Sequence, residues 1–243
     1  MTRTSTIEQW PLAAAAALLL ALAAAFAPGA GAGSSSASAV SVVGSGTLAW
    51  KKVAVHAQPT RDSKIVAVLR EFRPDFSPQY VLALAEKTQR TTGEPTWYRV
   101  SVPGRPNGKA GWVPAGAVEL RSVYKRLFVD RSERRYEFWD GERLVRAGRV
   151  AGGAPGAETP TGLFYVQSKF TPNAPILGAY AFETSAYSKL SDWPGGGVVG
   201  VHGTPWPWLL GQAVSHGCVR MSNADVRWLR SRMPAGTPVK IVP

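Results

Sequence analysis

The chain contains one cysteine in 243 residues, Cys218, within Ser215-His216-Gly217-Cys218-Val219-Arg220. His202, one of three histidines, lies sixteen residues upstream in Val201-His202-Gly203-Thr204. A lone cysteine has no disulfide partner in its own chain. It is an intermolecular link, a small buried hydrophobe or a reactive thiol. The glycine before it and the histidine within reach favour the reactive thiol. A thiol with a pKa of about 8.5 is a poor nucleophile at neutral pH until a base or a positive charge favours the thiolate. His202 is the natural base, because a neutral imidazole takes the thiol proton and returns it to a leaving amine. The carbonyl of Gly203 is placed to accept the other imidazole N–H and fix the tautomer. Backbone N–H groups of Gly217 and Cys218 are predicted to face the oxygen of an acyl intermediate. Gly217 has no side chain to block the substrate. His216 and Ser215 are expected to support this loop. Arg220 is read in two ways, as a binder of a substrate carboxylate or as the ion-pair partner of Asp225. Trp193, Trp206 and Trp208 lie in the Pro/Gly-rich surroundings of His202, where they either line the substrate cleft or simply pack. The chemistry implied is acyl transfer through a thioester. Two histidines and a cysteine are also zinc ligands, but structural zinc sites want about four such ligands and no acidic cluster completes the set. No metal is expected.

These residues need a frame. From Ser122 onward the pattern is β-rich. Tyr124 to Val129, Arg135 to Trp139 and Leu144 to Val150 read as strands, the last two joined at Asp140-Gly141, where a tight hairpin turn needs positive φ. Residues 152–162 form a turn-rich loop before Leu163-Phe164-Tyr165-Val166. Val198 to Val201 is a short apolar strand that delivers His202 at its end. One helix follows the cysteine: Ser222 and Asp225 make a capping box, and Val226, Leu229 and Met233 share a face. Pro234 and Gly236 end the helix, and Val239 to Val242 closes the chain as a strand.

Upstream, residues 47–121 read as short strands between turns, with Asn107-Gly108 as one turn. The segment from Pro74 to Lys87 departs from that pattern and is expected to be an inserted loop. His56 falls here, apart from the other two histidines, as an ordinary core or surface residue. Residues 33–46, rich in Gly, Ser and Ala, read as a flexible linker. Residues 1–32 read as a signal peptide: an apolar run from Leu12 to Ala27, then Pro28-Gly29 and the small-x-small site Ala30-Gly31-Ala32. That run is short of the roughly 20 residues a bilayer span wants. A membrane association is therefore expected only if the leader stays uncleaved. The net charge is +12, from 28 Lys and Arg against 16 Asp and Glu. For an exported protein this favours anionic wall polymers and peptidoglycan carboxylates over nucleic acid, and dispersed solubility is the bland alternative.

Taken together, His202-Gly203-Thr204 and Ser215-His216-Gly217-Cys218-Val219-Arg220-Met221, with Asn223 and Asp225 beyond, resemble the YkuD-type (ErfK-like) L,D-transpeptidase catalytic domain. Glu158-Thr159-Pro160-Thr161-Gly162-Leu163-Phe164 resembles the threonine-proline-x-glycine-x-phenylalanine segment of that family. Arg220 stands where many members have asparagine, which marks a subgroup. Ala110-Gly111-Trp112-Val113-Pro114 is similar to the closing strands of a bacterial SH3-like domain. The resemblance implies a mainly β protein: an SH3-like small barrel over 47–121, then over 122–243 an L,D-transpeptidase-type mixed β-sandwich with a short helix after the catalytic cysteine. It further implies Cys218 as nucleophile, His202 as base and no cofactor. The implied partners are peptidoglycan stem peptides. A tetrapeptide stem would be attacked at the carbonyl of its third residue, D-alanine released and a 3→3 crosslink formed, outside the cytoplasmic membrane. The family is generally open to acylation by carbapenems. An L,D-carboxypeptidase, which hydrolyses the same thioester, and a non-enzymatic wall-binding protein are the alternatives. An NlpC-type cysteine peptidase is disfavoured, because there the cysteine precedes the histidine.

Overall fold

A computed structural model describes residues 41–192 and 195–243. The expected signal peptide, most of the expected linker and Trp193 lie outside the described residues. Two β units, each with its own core, make up the rest, and the protein is mainly β.

The first unit is a seven-stranded antiparallel sheet. Its strands are β1 (Gly44–Leu48), β2 (Lys52–His56), β3 (Ile65–Arg70), β4 (Tyr80–Thr88), β5 (Pro95–Ser101), β6 (Ala110–Pro114) and β7 (Val118–Arg121), in the order β3-β2-β6-β5-β4-β1-β7. Leu48, Val53, Val55, Val81, Val100 and Val113 form its core, and period-2 alternation brings them to one face. Two boundaries differ from the sequence reading. The expected inserted loop holds β4, a strand at the sheet's interior whose Val81, Leu82 and Ala83 are fully buried. The flanking Pro74 and Pro78 masked this apolar run. The expected linker ends earlier than residue 46, because Gly44-Ser45-Gly46 lies in β1 between β4 and β7, with the Ser45 hydroxyl donating to the Val81 carbonyl. His56 is a core residue here, edge-on to Trp97 and hydrogen-bonded to the Ser63 carbonyl.

The second unit contains β8 (Lys125–Asp130), β9 (Arg135–Asp140), β10 (Arg143–Arg149), β11 (Gly152–Gly153), β12 (Gly162–Phe170), β13 (Ala181–Tyr187), β14 (Val198–His202), β15 (Ala213–Ser215), β16 (Val219–Arg220), the helix α1 (Asn223–Leu229) and β17 (Pro238–Val242). Eight of these strands make one mixed sheet in the order β10-β9-β8-β17-β12-β13-β14-β16, and β11 pairs with β15. Pairing is parallel for β8/β17, β14/β16 and β11/β15 and antiparallel elsewhere. Tyr136 and Phe138 of β9 point inward while Arg135 and Glu137 alternate outward, as the period predicts. Strand β13 was not read from the sequence, because Ala181-Phe182-Glu183-Thr184-Ser185 places polar Thr184 and Ser185 in fully or nearly fully buried positions.

Helix α1 anchors the chain just after the Cys218 segment. Val226, Leu229 and the following Met233 are fully buried, each stabilising by about 1.5–3 kcal/mol relative to exposure. Ser222 caps the helix by accepting the Asp225 N–H at 3.0 Å, a contact worth about 1 kcal/mol. The capping box is half formed, since the Asp225 carboxylate accepts the Ser222 hydroxyl (2.7 Å) and Arg146 Nε (2.6 Å). Arg146 in turn lies over the Trp228 ring. Asp225 is thus paired with Arg146 and not with Arg220, which removes one of the two readings of Arg220.

Candidate active site

The register of two strands brings the chemistry together. Strands β14 and β16 run parallel, with Val201 opposite Val219 and His202 opposite Arg220. One step back, this sets Gly200 opposite Cys218. Alternate residues of a strand share a face, so Gly200 and His202 join Cys218 and Arg220 on one side. A Cβ added to Gly200 would lie 3.7 Å from His202 Cδ2 and 3.9 Å from Cys218 Sγ. The thiol and the ring edge carrying Nε2 therefore border the space that this glycine leaves open. The Gly200 N–H also donates to Cys218 Sγ at 3.3 Å. The sequence reading missed Gly200, although its place two residues before His202 on a strand was the available signal.

His202 is buried, and its Nδ1 lies 2.6 Å from the Gly203 carbonyl. A carbonyl only accepts, so Nδ1 carries the hydrogen and Nε2 keeps its lone pair. Desolvation pushes the imidazole down to about 4, the Arg220 charge adds to the drop, and the Gly203 and Leu177 carbonyls oppose it. At neutral pH the ring is an uncharged base. Cys218 keeps partial solvent access. Burial of its sulfur raises the thiol above its ordinary value, against the lowering effects of the Gly200 N–H and the Arg220 charge. The resting pair at neutral pH is therefore neutral thiol beside neutral imidazole.

The loop before Cys218 is internally braced. Ser215 Oγ donates to the Cys218 carbonyl (2.6 Å) and accepts the Gly217 N–H (3.1 Å). The Gly217 N–H, which the sequence reading aimed at an acyl oxygen, is hydrogen-bonded within the loop here. Among the described residues the Cys218 N–H has no hydrogen-bond partner. Gly217 adopts φ +118, a conformation that L side chains rarely adopt, and an added Cβ would press on Ser188 Oγ and Cβ at 3.0 and 3.1 Å. Ser188, also missed by the sequence reading, donates its hydroxyl to the His216 carbonyl at 2.9 Å. The His216 side chain is exposed. Beneath the loop, Thr159 of the threonine-proline segment is buried and its Oγ1 accepts the Gly153 N–H at 2.9 Å. The Ala154 N–H reaches the Ser215 carbonyl.

Arg220 is buried, with its guanidinium 5.9 Å from the Trp206 ring centroid and its Nε unsatisfied. None of the ion pairs among the described residues involves it. Gly203 packs against Asn223 Oδ1, which also accepts the Ala179 N–H. Trp206 is half-buried, whereas Trp208 is exposed. No group of three His, Cys, Asp or Glu side chains able to hold a metal ion occurs among the described residues.

Known proteins match this arrangement in its second half. A sequence profile of the YkuD L,D-transpeptidase catalytic domain matches residues 124–241. The YkuD protein of Bacillus licheniformis is 35% identical over 118 residues, which cover 49% of this chain and 66% of that protein. The YkuD protein of Bacillus subtilis is 38% identical over 99 residues, 41% of this chain and 54% of that protein. The chain thus spans 54–66% of the length of these relatives. A solved L,D-transpeptidase from Mycobacterium smegmatis is 17% identical, with 68% of this chain and 90% of that one covered at a TM-score of 0.43. Residues 124–241 are thus similar to the YkuD L,D-transpeptidase catalytic domain.

Proposed function

We propose that this protein is a peptidoglycan L,D-transpeptidase acting through a thioester on Cys218. The observation that carries the reading is that Cys218 Sγ and the Cδ2 edge of neutral His202 both border the space beside Gly200. The donor is a tetrapeptide stem. Sγ attacks the carbonyl carbon of the third residue as the thiol proton passes to His202 Nε2. The tetrahedral oxygen accepts the Cys218 N–H, and Arg220 faces a carboxylate of the stem. The carbon–nitrogen bond then breaks, and imidazolium returns the proton to the leaving D-alanine amine. The side-chain amine of a neighbouring stem attacks the thioester, gives its proton to His202 and releases the Cys218 thiol, which leaves a 3→3 crosslink. Trp206 and Trp208 flank the cleft. The protein works outside the cytoplasmic membrane, and its basic charge favours anionic wall polymers. The first unit, by its resemblance to bacterial SH3-like domains, is the part with an affinity for such polymers.

Intact-mass analysis with a carbapenem and with a disaccharide-tetrapeptide tests this reading. A single adduct that is lost in Cys218→Ala, together with a crosslinked dimer, is the expected result. Loss of D-alanine without dimer assigns the protein as an L,D-carboxypeptidase. Neither product would overturn the enzymatic reading and leave a wall-binding protein.

A further inference from the structure

The first β unit reaches the loop that holds the nucleophile. Residues 102–109, between β5 and β6, lie against the segment that follows β13. The side-chain amide of Asn107 pairs with the Tyr187 backbone as a neighbouring strand would: Nδ2 donates to the Tyr187 carbonyl at 2.7 Å, and Oδ1 accepts the Tyr187 N–H at 2.9 Å. Arg105 lies over the Tyr187 ring, 5.0 Å from its centroid. Its Nη2 donates to the carbonyls of Ser188 and Leu190, both at 2.9 Å, and its Nε donates to Ser188 at 3.3 Å. The guanidinium occupies the space that a Gly197 side chain would need.

Ser188 passes this grip onward. Its N–H bonds the Gly197 carbonyl, its own carbonyl takes Arg105, and its hydroxyl holds the His216 carbonyl. That peptide carbonyl precedes Gly217, whose backbone already sits against Ser188. Two further contacts fix the first unit to the sheet beside the site. Arg73 pairs with Glu183 of β13 at 2.5 Å, and the buried Tyr165 hydroxyl donates to the Tyr80 carbonyl at 2.9 Å. Residues 41–192 and 195–243 accordingly fall within one compact unit.

We propose that the first β unit is a working part of the catalytic apparatus, in which Arg105 and Asn107 are positioning residues that hold Ser188, and through it the His216-Gly217 peptide, where Cys218 reacts. This goes beyond a unit that binds the wall or merely spaces the domain from it. It rests on the proposed acyl-transfer reading only for the step it assists. A planar fork that reaches two carbonyls while stacking on an aromatic ring is specific to arginine, so lysine at 105 is not an equivalent.

The test uses the full chain carrying Arg105→Ala, Arg105→Lys or Asn107→Ala. Single-turnover acylation of Cys218 by a carbapenem, followed by intact mass over a range of concentrations, separates the limiting rate from the apparent affinity. Misplacement by about 1 Å costs up to about a hundredfold in rate. The limiting rate is therefore expected to fall between about tenfold and a hundredfold, with apparent affinity changed less and no rescue by lysine. Melting curves confirm that each variant is folded at the assay temperature. Limiting rates within twofold of wild type in both Arg105→Ala and Asn107→Ala would overturn the proposal. If wild type itself is not acylated, the transpeptidase reading fails on its own. The positioning role is then decided by amide exchange: faster exchange over 187–192 and 215–218 in the variants supports it, and unchanged exchange there refutes it.

Discussion

The neutral state of His202 has a measurable consequence for stability. Its imidazole falls from an ordinary 6.5 in the unfolded chain to about 4 in the folded protein, chiefly because burial disfavours the charged ring. Between these values the unfolded chain binds the proton and the folded protein does not, so lowering the pH favours unfolding. The contribution is fully present above about pH 6.5 and is lost as the pH falls toward 4. One pKa unit corresponds to about 1.4 kcal/mol, so the loss from this group is about 2 kcal/mol at pH 5 and about 3 kcal/mol at pH 4.

Other titrating groups shape the acid limb too, and comparison with His202→Gln removes them. Urea unfolding followed by tryptophan fluorescence, at pH 7.5, 6, 5 and 4.5, gives two stability curves. Glutamine carries no proton in this range, so the wild-type curve drops relative to the variant by about 2 kcal/mol between pH 7.5 and 5. The absolute offset at pH 7.5 reflects lost packing and the Gly203 contact, and does not enter the test. Curves that stay parallel within about 0.5 kcal/mol, against the expected 2, would mean that the imidazole titrates normally. The neutral-base description of the site would then be wrong.

Four other outcomes follow from the same geometry. Alkylation of Cys218 by iodoacetamide should keep rising with pH through the ordinary thiol range, with no thiolate plateau near neutrality. Arg220→Gln, by removing a nearby positive charge, should shift that rise to still higher pH and raise the His202 pKa with it; a downward shift of either would contradict the electrostatics. Gly217→Ala should destabilise by about 1–3 kcal/mol because of its positive φ, and should slow acylation more than Ser215→Ala, since it also presses on Ser188; equal rates in all three proteins would refute the bracing role of the loop. Ser215→Ala frees the Gly217 N–H and the Cys218 carbonyl together, and it should lower the acylation rate about tenfold or more while the fold is kept.

The local chemistry was legible in the sequence wherever one residue type had few possible jobs. A single cysteine, a histidine ending an apolar strand and a glycine between His216 and Cys218 marked the centre of the candidate site. Asp140-Gly141 and Ser222/Asp225 marked a hairpin and a helix start for the same reason. What was not legible arose from pairing between distant segments. The Gly200 N–H reaches Sγ only because β14 and β16 pair in parallel with Val201 beside Val219, a register no local pattern encodes. Ser188 looked like any loop serine until β13 carried it to His216. Asn107 read as a turn former, which it is, and its amide is also spent on Tyr187. The two readings of Arg220 were separated by Arg146, a strand residue 79 positions from Asp225.

A neutral dyad also limits how readily the free thiol is oxidised. Oxidation follows thiolate character and exposure. A thiolate–imidazolium pair would expose a permanent nucleophile to every oxidant. Here burial disfavours both charges at once, lowering His202 and raising Cys218. In the proposed reaction the ion pair forms as a carbonyl carbon takes up the sulfur electron pair, so reactivity would depend on a bound acyl donor. The Gly200 N–H and Arg220 both favour the negative form and keep that proton transfer within reach. Arg220→Gln should leave a thiol still better protected and slower to acylate. Protection and reactivity are thus set by the same two contacts, working against the same burial.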